Sequence, residues 1–202
     1  MRRTLTLVGF LTTLSVAGCG FGGPAPTLYV LGAPSPALTV TRPQAGLPVV
    51  EVASVRVPDY LDSTDLSVRN REQIVPSQTG RWGERLSVGV TRALTADLAS
   101  LLPQAIVTAT TPIEQPARRV LVDISDFAAR ADGPVFLAAR WTVTDATERT
   151  TFASKQLSLV EPVPGRGDAA VVAAMSNAIA RLANEIAPAL RYPTAGSRTR
   201  RR

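Results

Sequence analysis

The stretch from Val135 to Val143 constrains this chain most: Val135, Leu137, Ala139, Trp141 and Val143 recur at every second position. A period of two sets all five on one face of a strand, and that face needs a covering layer. Arg119–Phe127 alternates in the same way through Val120, Val122 and Ile124, and Thr150–Val160 reads as a third strand. Short turns, Ala131-Asp132-Gly133-Pro134 and Asp145–Glu148, separate the three, which predicts an antiparallel meander.

Two helices are expected to supply the cover. Leu86, Val90, Leu94, Leu98 and Leu101 form one stripe within Trp82–Leu102, and Pro103 ends it. Val172, Met175, Ile179, Leu182, Ile186 and Leu190 step by three or four along a last helix, with Asp168 as its N-cap, and Pro188 near its end and Pro193 beyond it limit the helix. Between these parts, Val49–Val57 is apolar on both faces and suits a central strand that Pro58 stops. Leu66–Arg69 and Gln73–Val75 predict a hairpin through Asn70-Arg71, and Ala105–Ala109 a short strand. The expected fold class is α+β, a two-layer sandwich of a mostly antiparallel sheet and two amphipathic helices.

The N-terminus is of another kind. Arg2 and Arg3 precede an uncharged apolar run, Leu5 to Val16, and Val16-Ala17-Gly18 leads to Cys19, the single cysteine. The run is shorter than the ~20 residues of a membrane-spanning helix, so it reads as a signal segment. Val16-Ala17-Gly18-Cys19 resembles the lipobox of bacterial lipoproteins. That resemblance implies cleavage before Cys19, a diacylglycerol on its thiol and acylation of the new amino terminus. Two or more acyl chains hold a protein on a bilayer durably, where one binds only reversibly. Gly20, not Asp, follows the cysteine, which in such lipoproteins implies sorting to the outer membrane. The expected organisation is a signal peptide over 1–18 and a lipidated, proline-rich linker with one short strand over 19–48. A periplasmic α+β domain follows over 49–190, then a basic tail over 191–202.

Charge narrows the function. The formal charge is +6. Losing Arg2 and Arg3 leaves +4, and the tail residues Arg191, Arg198, Arg200, Arg201 and Arg202 carry five of the positive charges, so residues 19–190 sum to −1. A nearly neutral domain lacks the basic face that nucleic acid requires. With one cysteine there is no disulfide framework, and with no histidine the commonest general base and metal ligand is missing.

Motifs that suggest chemistry have plainer readings. Gly18-Cys19-Gly20-Phe21-Gly22-Gly23 matches a dinucleotide fingerprint but has no strand before it or helix after it. Asp59, Asp62 and Asp65 lack the oxygen spacing and glycine of a calcium loop, so they read as turn carboxylates, and no metal or cofactor is expected. Arg166-Gly167-Asp168 reads as a turn plus a helix cap. No nucleophile elbow, phosphate loop or Ser-x-x-Lys motif occurs, and no catalytic residues are assigned. Trp82 and Trp141 read as core; the alternative makes Trp82, with Tyr60, part of an exposed partner site, where aromatics and arginines carry most of the binding energy.

Several stretches together resemble the PqiC-type family, the ABC-type transport auxiliary lipoproteins of MCE lipid-transport systems. They are Leu28-Tyr29-Val30-Leu31, Val55-Arg56-Val57-Pro58-Asp59-Tyr60-Leu61-Asp62, Arg81-Trp82-Gly83-Glu84-Arg85-Leu86, Ala139-Arg140-Trp141 and the alanine-rich helix Ala169–Leu190. The arginine-rich tail and the long proline linker depart from the family pattern. The resemblance implies a non-enzymatic, outer-membrane-anchored lipoprotein facing the periplasm, docking an MCE-domain protein, with a ring of its own copies as one arrangement. By motif position the expected contact residues are Pro58, Tyr60, Leu61, Arg81 and Trp82. A lipid carrier holding an acyl chain between sheet and helices is the alternative, and an envelope hydrolase a third.

Overall fold

The computed structural model describes residues 24–32, 46–112, 115–131 and 133–191. The signal segment, Cys19, most of the linker and the tail residues Arg198–Arg202 lie outside the described residues. The elements run β1 (Thr27–Tyr29), β2 (Val49–Val52), β3 (Asp65–Asn70), β4 (Gln73–Trp82), α1 (Leu86–Leu101), β5 (Ile106–Thr108), β6 (Arg118–Arg130), β7 (Val135–Thr144), β8 (Thr151–Glu161) and α2 (Asp168–Leu190). No helix among the described residues is long and apolar enough to cross a membrane.

All eight strands join one sheet built around β6. The antiparallel meander β6–β7–β8 forms, with Val122 opposite Trp141 and Trp141 opposite Lys155. On its other edge β6 is shared: β2 pairs with its first half and β3 with its last residues, both parallel. β5 runs parallel to β2, and β1 parallel to β4. Four of the seven strand pairings are therefore parallel, and the expected mostly antiparallel sheet is corrected to a mixed one. The physical reason is that β1, β2 and β5 are three or four residues long and pair with strands distant in sequence. Such segments have no hairpin turn to set their direction.

Both helices cover one face. α1 and α2 pack on each other, α2 also lies on β6, β7 and β8, and α1 on β5. Leu94, Leu98, Ile179, Leu182 and Ile186 are wholly buried against Val120, Val122, Leu137 and Val143 of the sheet. The opposite face is charged and cross-linked by ion pairs, Arg56–Asp123 at 2.7 Å, Arg119–Glu148 at 2.6 Å and Arg130–Asp126 at 2.5 Å. Pairs on a wet face add little stability each; their role is to make that face compatible with water.

Three local expectations are also corrected. Trp82 ends β4, and α1 begins only at Leu86. α2 ends at Leu190, the last residue of its expected stripe, with Pro188 inside its final turn. Its N-cap position is Gly167, at φ 84°, so Asp168 is the first helical residue. The apolar segment at 28–31 belongs to the domain, because β1 is in the sheet and Leu31 is only 2 % exposed.

Candidate functional site

The two stretches around Tyr60 and Trp82 form one unit. Pro58 stops the preceding segment, and its carbonyl accepts the N–H groups of Leu61 at 2.9 Å and Asp62 at 3.1 Å, closing a tight turn. The turn is fastened to β4 and α1 by the chain that follows it. Trp82 N–H donates to the Thr64 carbonyl at 2.8 Å and Leu86 N–H to the Ser63 carbonyl at 3.2 Å. Asp62 completes the joint: its Oδ1 accepts the Ser87 N–H at 3.0 Å and its Oδ2 faces Arg85 Nη2 at 2.5 Å.

This joint supplies what α1 lacks locally. Arg85 holds the N-cap position and has no side chain able to accept a hydrogen bond, and the first turn has no acid. A carboxylate near a helix N-terminus satisfies orphan N–H groups and opposes the helix dipole. Burial works to raise the Asp62 carboxyl, but the Ser87 N–H, the Ser87 hydroxyl and the Arg85 guanidinium outweigh it and hold it below the usual carboxylate range.

The five expected contact residues come together, with different exposures. Tyr60, Leu61 and Trp82 line one small crevice with Leu86. Leu61 and Trp82 are core residues, and Trp82 is only 4 % exposed, so it supports the loop from beneath. Pro58 and Arg81 are half-buried. Arg81 pairs with Asp65 at 3.3 Å and donates to the carbonyls of Ser77 and Gly80, so its charge is already engaged. Tyr60, 49 % exposed, is the one exposed large hydrophobic side chain of the five. Reading Trp82 as part of an exposed pair is thereby corrected to a buried support.

Sequence reasoning missed the neighbours of this surface. Leu28 stands opposite Arg81 in the β1–β4 register and is 68 % exposed, and Val30, 56 % exposed, comes 3.4 Å from the point where a Cβ on Gly83 would lie. The alternation of Leu28 and Val30 around half-buried Tyr29 was the available signal. Of the three aspartates read as turn carboxylates, Asp62 and Asp65 are engaged by Arg85 and Arg81. Among the described residues no three metal-binding side chains gather.

Fold and site together define an α+β domain whose notable surface is a braced loop with one exposed aromatic ring and an apolar strand edge beside it. The family model of the ABC-type transport auxiliary lipoprotein component matches residues 29–187, so the chain belongs to that family. Of the solved structures, the chain is similar to a protein described only as uncharacterized, at 20% identity and TM-score 0.69, over 82% of this chain and 99% of that one. It is also similar to protein XCC0632 from Xanthomonas campestris, a DUF330 member, at 17% identity and TM-score 0.57, over 80% and 90% of the two chains. At these identities the likeness concerns the fold. No curated protein sequence matches the chain.

Proposed function

We propose that this auxiliary lipoprotein is held at the outer membrane by acyl chains on Cys19 and docks there the periplasmic MCE component of an ABC-type lipid transport system. Membership of the transport auxiliary family supports a role in transport without chemistry of its own. The observation that carries the docking role is Tyr60, an exposed ring on a loop fastened by Asp62 to α1. Preorganised aromatics of this kind lose little entropy on binding and are enriched where binding energy concentrates. Leu28 and Val30 would extend the contact along the β1 edge.

The test is copurification of the lipidated chain with its MCE partner. Tyr60→Ala combined with Leu28→Ser is expected to abolish it while the thermal melt stays unchanged. Retention of the partner by that variant would sink the docking reading. A lipid carrier working between sheet and helices finds little support, because Leu94, Leu98, Ile179 and Leu182 fill that space. A hydrolase finds little either. Burial pushes the Asp97 carboxyl up, but Tyr29 is the sole other titratable group among the described residues lining its groove.

A further inference from the structure

The sheet ends on a long open edge. β8 spans Thr151–Glu161, and among the described residues it pairs with β7 alone. Arg130 N–H donates to the Pro134 carbonyl at 3.0 Å, so the even-numbered residues of β7 bond to β6. The odd-numbered ones therefore bond to β8, with Leu137 opposite Leu159, Ala139 opposite Leu157 and Trp141 opposite Lys155. That leaves Ser154, Gln156, Ser158 and Val160 with their backbone groups directed away from the sheet. No proline interrupts β8, and its pairing with β7 is regular from Ala153 to Glu161. An unpaired edge of this kind is a template for another strand.

The side chains of β8 select which strand fits. Lys155, Leu157, Leu159 and Glu161 alternate onto the face that α2 covers. There Lys155 pairs with Glu185 at 2.5 Å and Glu161 with Arg181 at 2.9 Å, while Leu159 is buried and Leu157 packs on the core. The edge thus has a positive end and a negative end, and α2 sets the opposite sign beside each. A two-fold axis at Ser158 makes this edge its own complement. In antiparallel pairing Lys155 then meets Glu161 of the second copy, and Leu157 meets Leu159. The outward backbone groups fall into step as well, Ser158 on Ser158 and Gln156 on Val160. An axis at Leu157 would set Lys155 against Leu159, and one at Gln156 would set it against Leu157. Arg181 donates to the Val160 carbonyl at 2.8 Å, and that oxygen's second lone pair remains for the Gln156 N–H of the other copy.

We infer that two copies of this chain pair antiparallel along β8, about a two-fold axis at Ser158. Such an interface uses the same patch on both copies and closes on itself. It lies at the opposite end of the sheet from β1, so it leaves Leu28 free and does not rest on the docking proposed above.

The experiment uses the mature chain carrying Cys19→Ser, which has no acyl group. Sedimentation equilibrium is followed up to about 1 mM, because an edge-strand contact sits at the small end of specific interfaces. A monomer–dimer equilibrium is expected. Lys155→Glu would set carboxylates opposite one another and Glu161→Lys would do the same with ammonium groups, so each variant alone should associate about tenfold more weakly. Mixed in equal amounts, the two variants should form a heterodimer as tight as the wild-type dimer, since both cross-strand pairs regain opposite signs. That rescue separates a lost contact from a fault in folding. Cross-linking reads the register. On mild oxidation Ser158→Cys should give a disulfide dimer, because Cα atoms in such a pair stand about 5.5 Å apart. Ser154→Cys, which would lie opposite Pro162, should not. A monomer throughout the concentration range, no heterodimer from the mixture, or equal cross-linking at the two positions would overturn the inference. A larger assembly that neither charge variant weakens would overturn it as well.

Discussion

Asp62 and Ser87 are 25 residues apart in sequence, yet the Asp62 carboxylate caps α1 by accepting the N–H of Ser87, the second residue of the helix, at 3.0 Å. One side chain thus joins the loop bearing Tyr60 to α1. The orientation of Tyr60 depends on that joint, because Leu61 beside it is buried and Asp62 after it is bonded at both oxygens.

Removing the joint should cost stability. Asp62→Ala is expected to destabilise the domain by about 1–2 kcal/mol, the usual loss for a helix cap. Urea denaturation should show a lower midpoint with an unchanged slope, and the docking proposed above predicts weaker copurification of an MCE-domain protein with the variant.

The same carboxylate gives a pH signature. Its folded pKa is depressed, so its contribution is fully present above the unfolded value of about 3.9 and fades as pH falls through the folded value. The stability gap between wild type and Asp62→Asn should therefore be constant near neutrality and close in acid. Asp97 has the opposite sign: burial raises its pKa, so ionisation opposes folding above the unfolded value. Asp97→Asn should stabilise the domain at pH 7, with the gain vanishing below about pH 4, where both states bind the proton. Denaturant midpoints at a series of pH values check both.

Trp82 and Tyr60 should separate cleanly by calorimetry. Trp82→Ala empties a buried site and is expected to cost about 3–5 kcal/mol. Tyr60→Ala, on the surface, should stay within about 0.5 kcal/mol of wild type.

Gly80→Ala tests the packing where β4 meets the start of α2. The new methyl would meet the Asp168 carboxylate at 2.5 Å and Leu66 Cδ2 at 3.1 Å. Overpacking of this kind costs about 1–3 kcal/mol, and here it would also displace Asp168 from Ser77 and Thr79. A lowered melting temperature is the expected result.

How much could be read in advance followed the range of the forces involved. The meander was legible because Val120–Val143 alternates and short turns set the pairing. The β3–β4 hairpin was legible too, although β4 runs on to Trp82. Parallel pairing was not, since nothing within Val49–Val52 records that its neighbours are Ile106–Thr108 and Arg118–Val120. The start of α1 was misplaced at Trp82 because its distant cap, Asp62, leaves no mark at that end. Asp168 looked like a cap by residue type, but Gly167 has the cap's backbone and the carboxylate serves Ser77 and Thr79. Within the site, the five residues were placed together by motif, and burial alone decided that Tyr60 faces solvent while Trp82 does not.

Photocrosslinking from position 60 in intact envelopes tests the docking role most directly. With Tyr60 replaced by p-benzoylphenylalanine, the account predicts one principal adduct, to an MCE-domain protein, and no such adduct from the same group placed at Ser154 on the sheet's outer face. An adduct pattern identical at the two positions, or none to an MCE-domain protein from position 60, would contradict it.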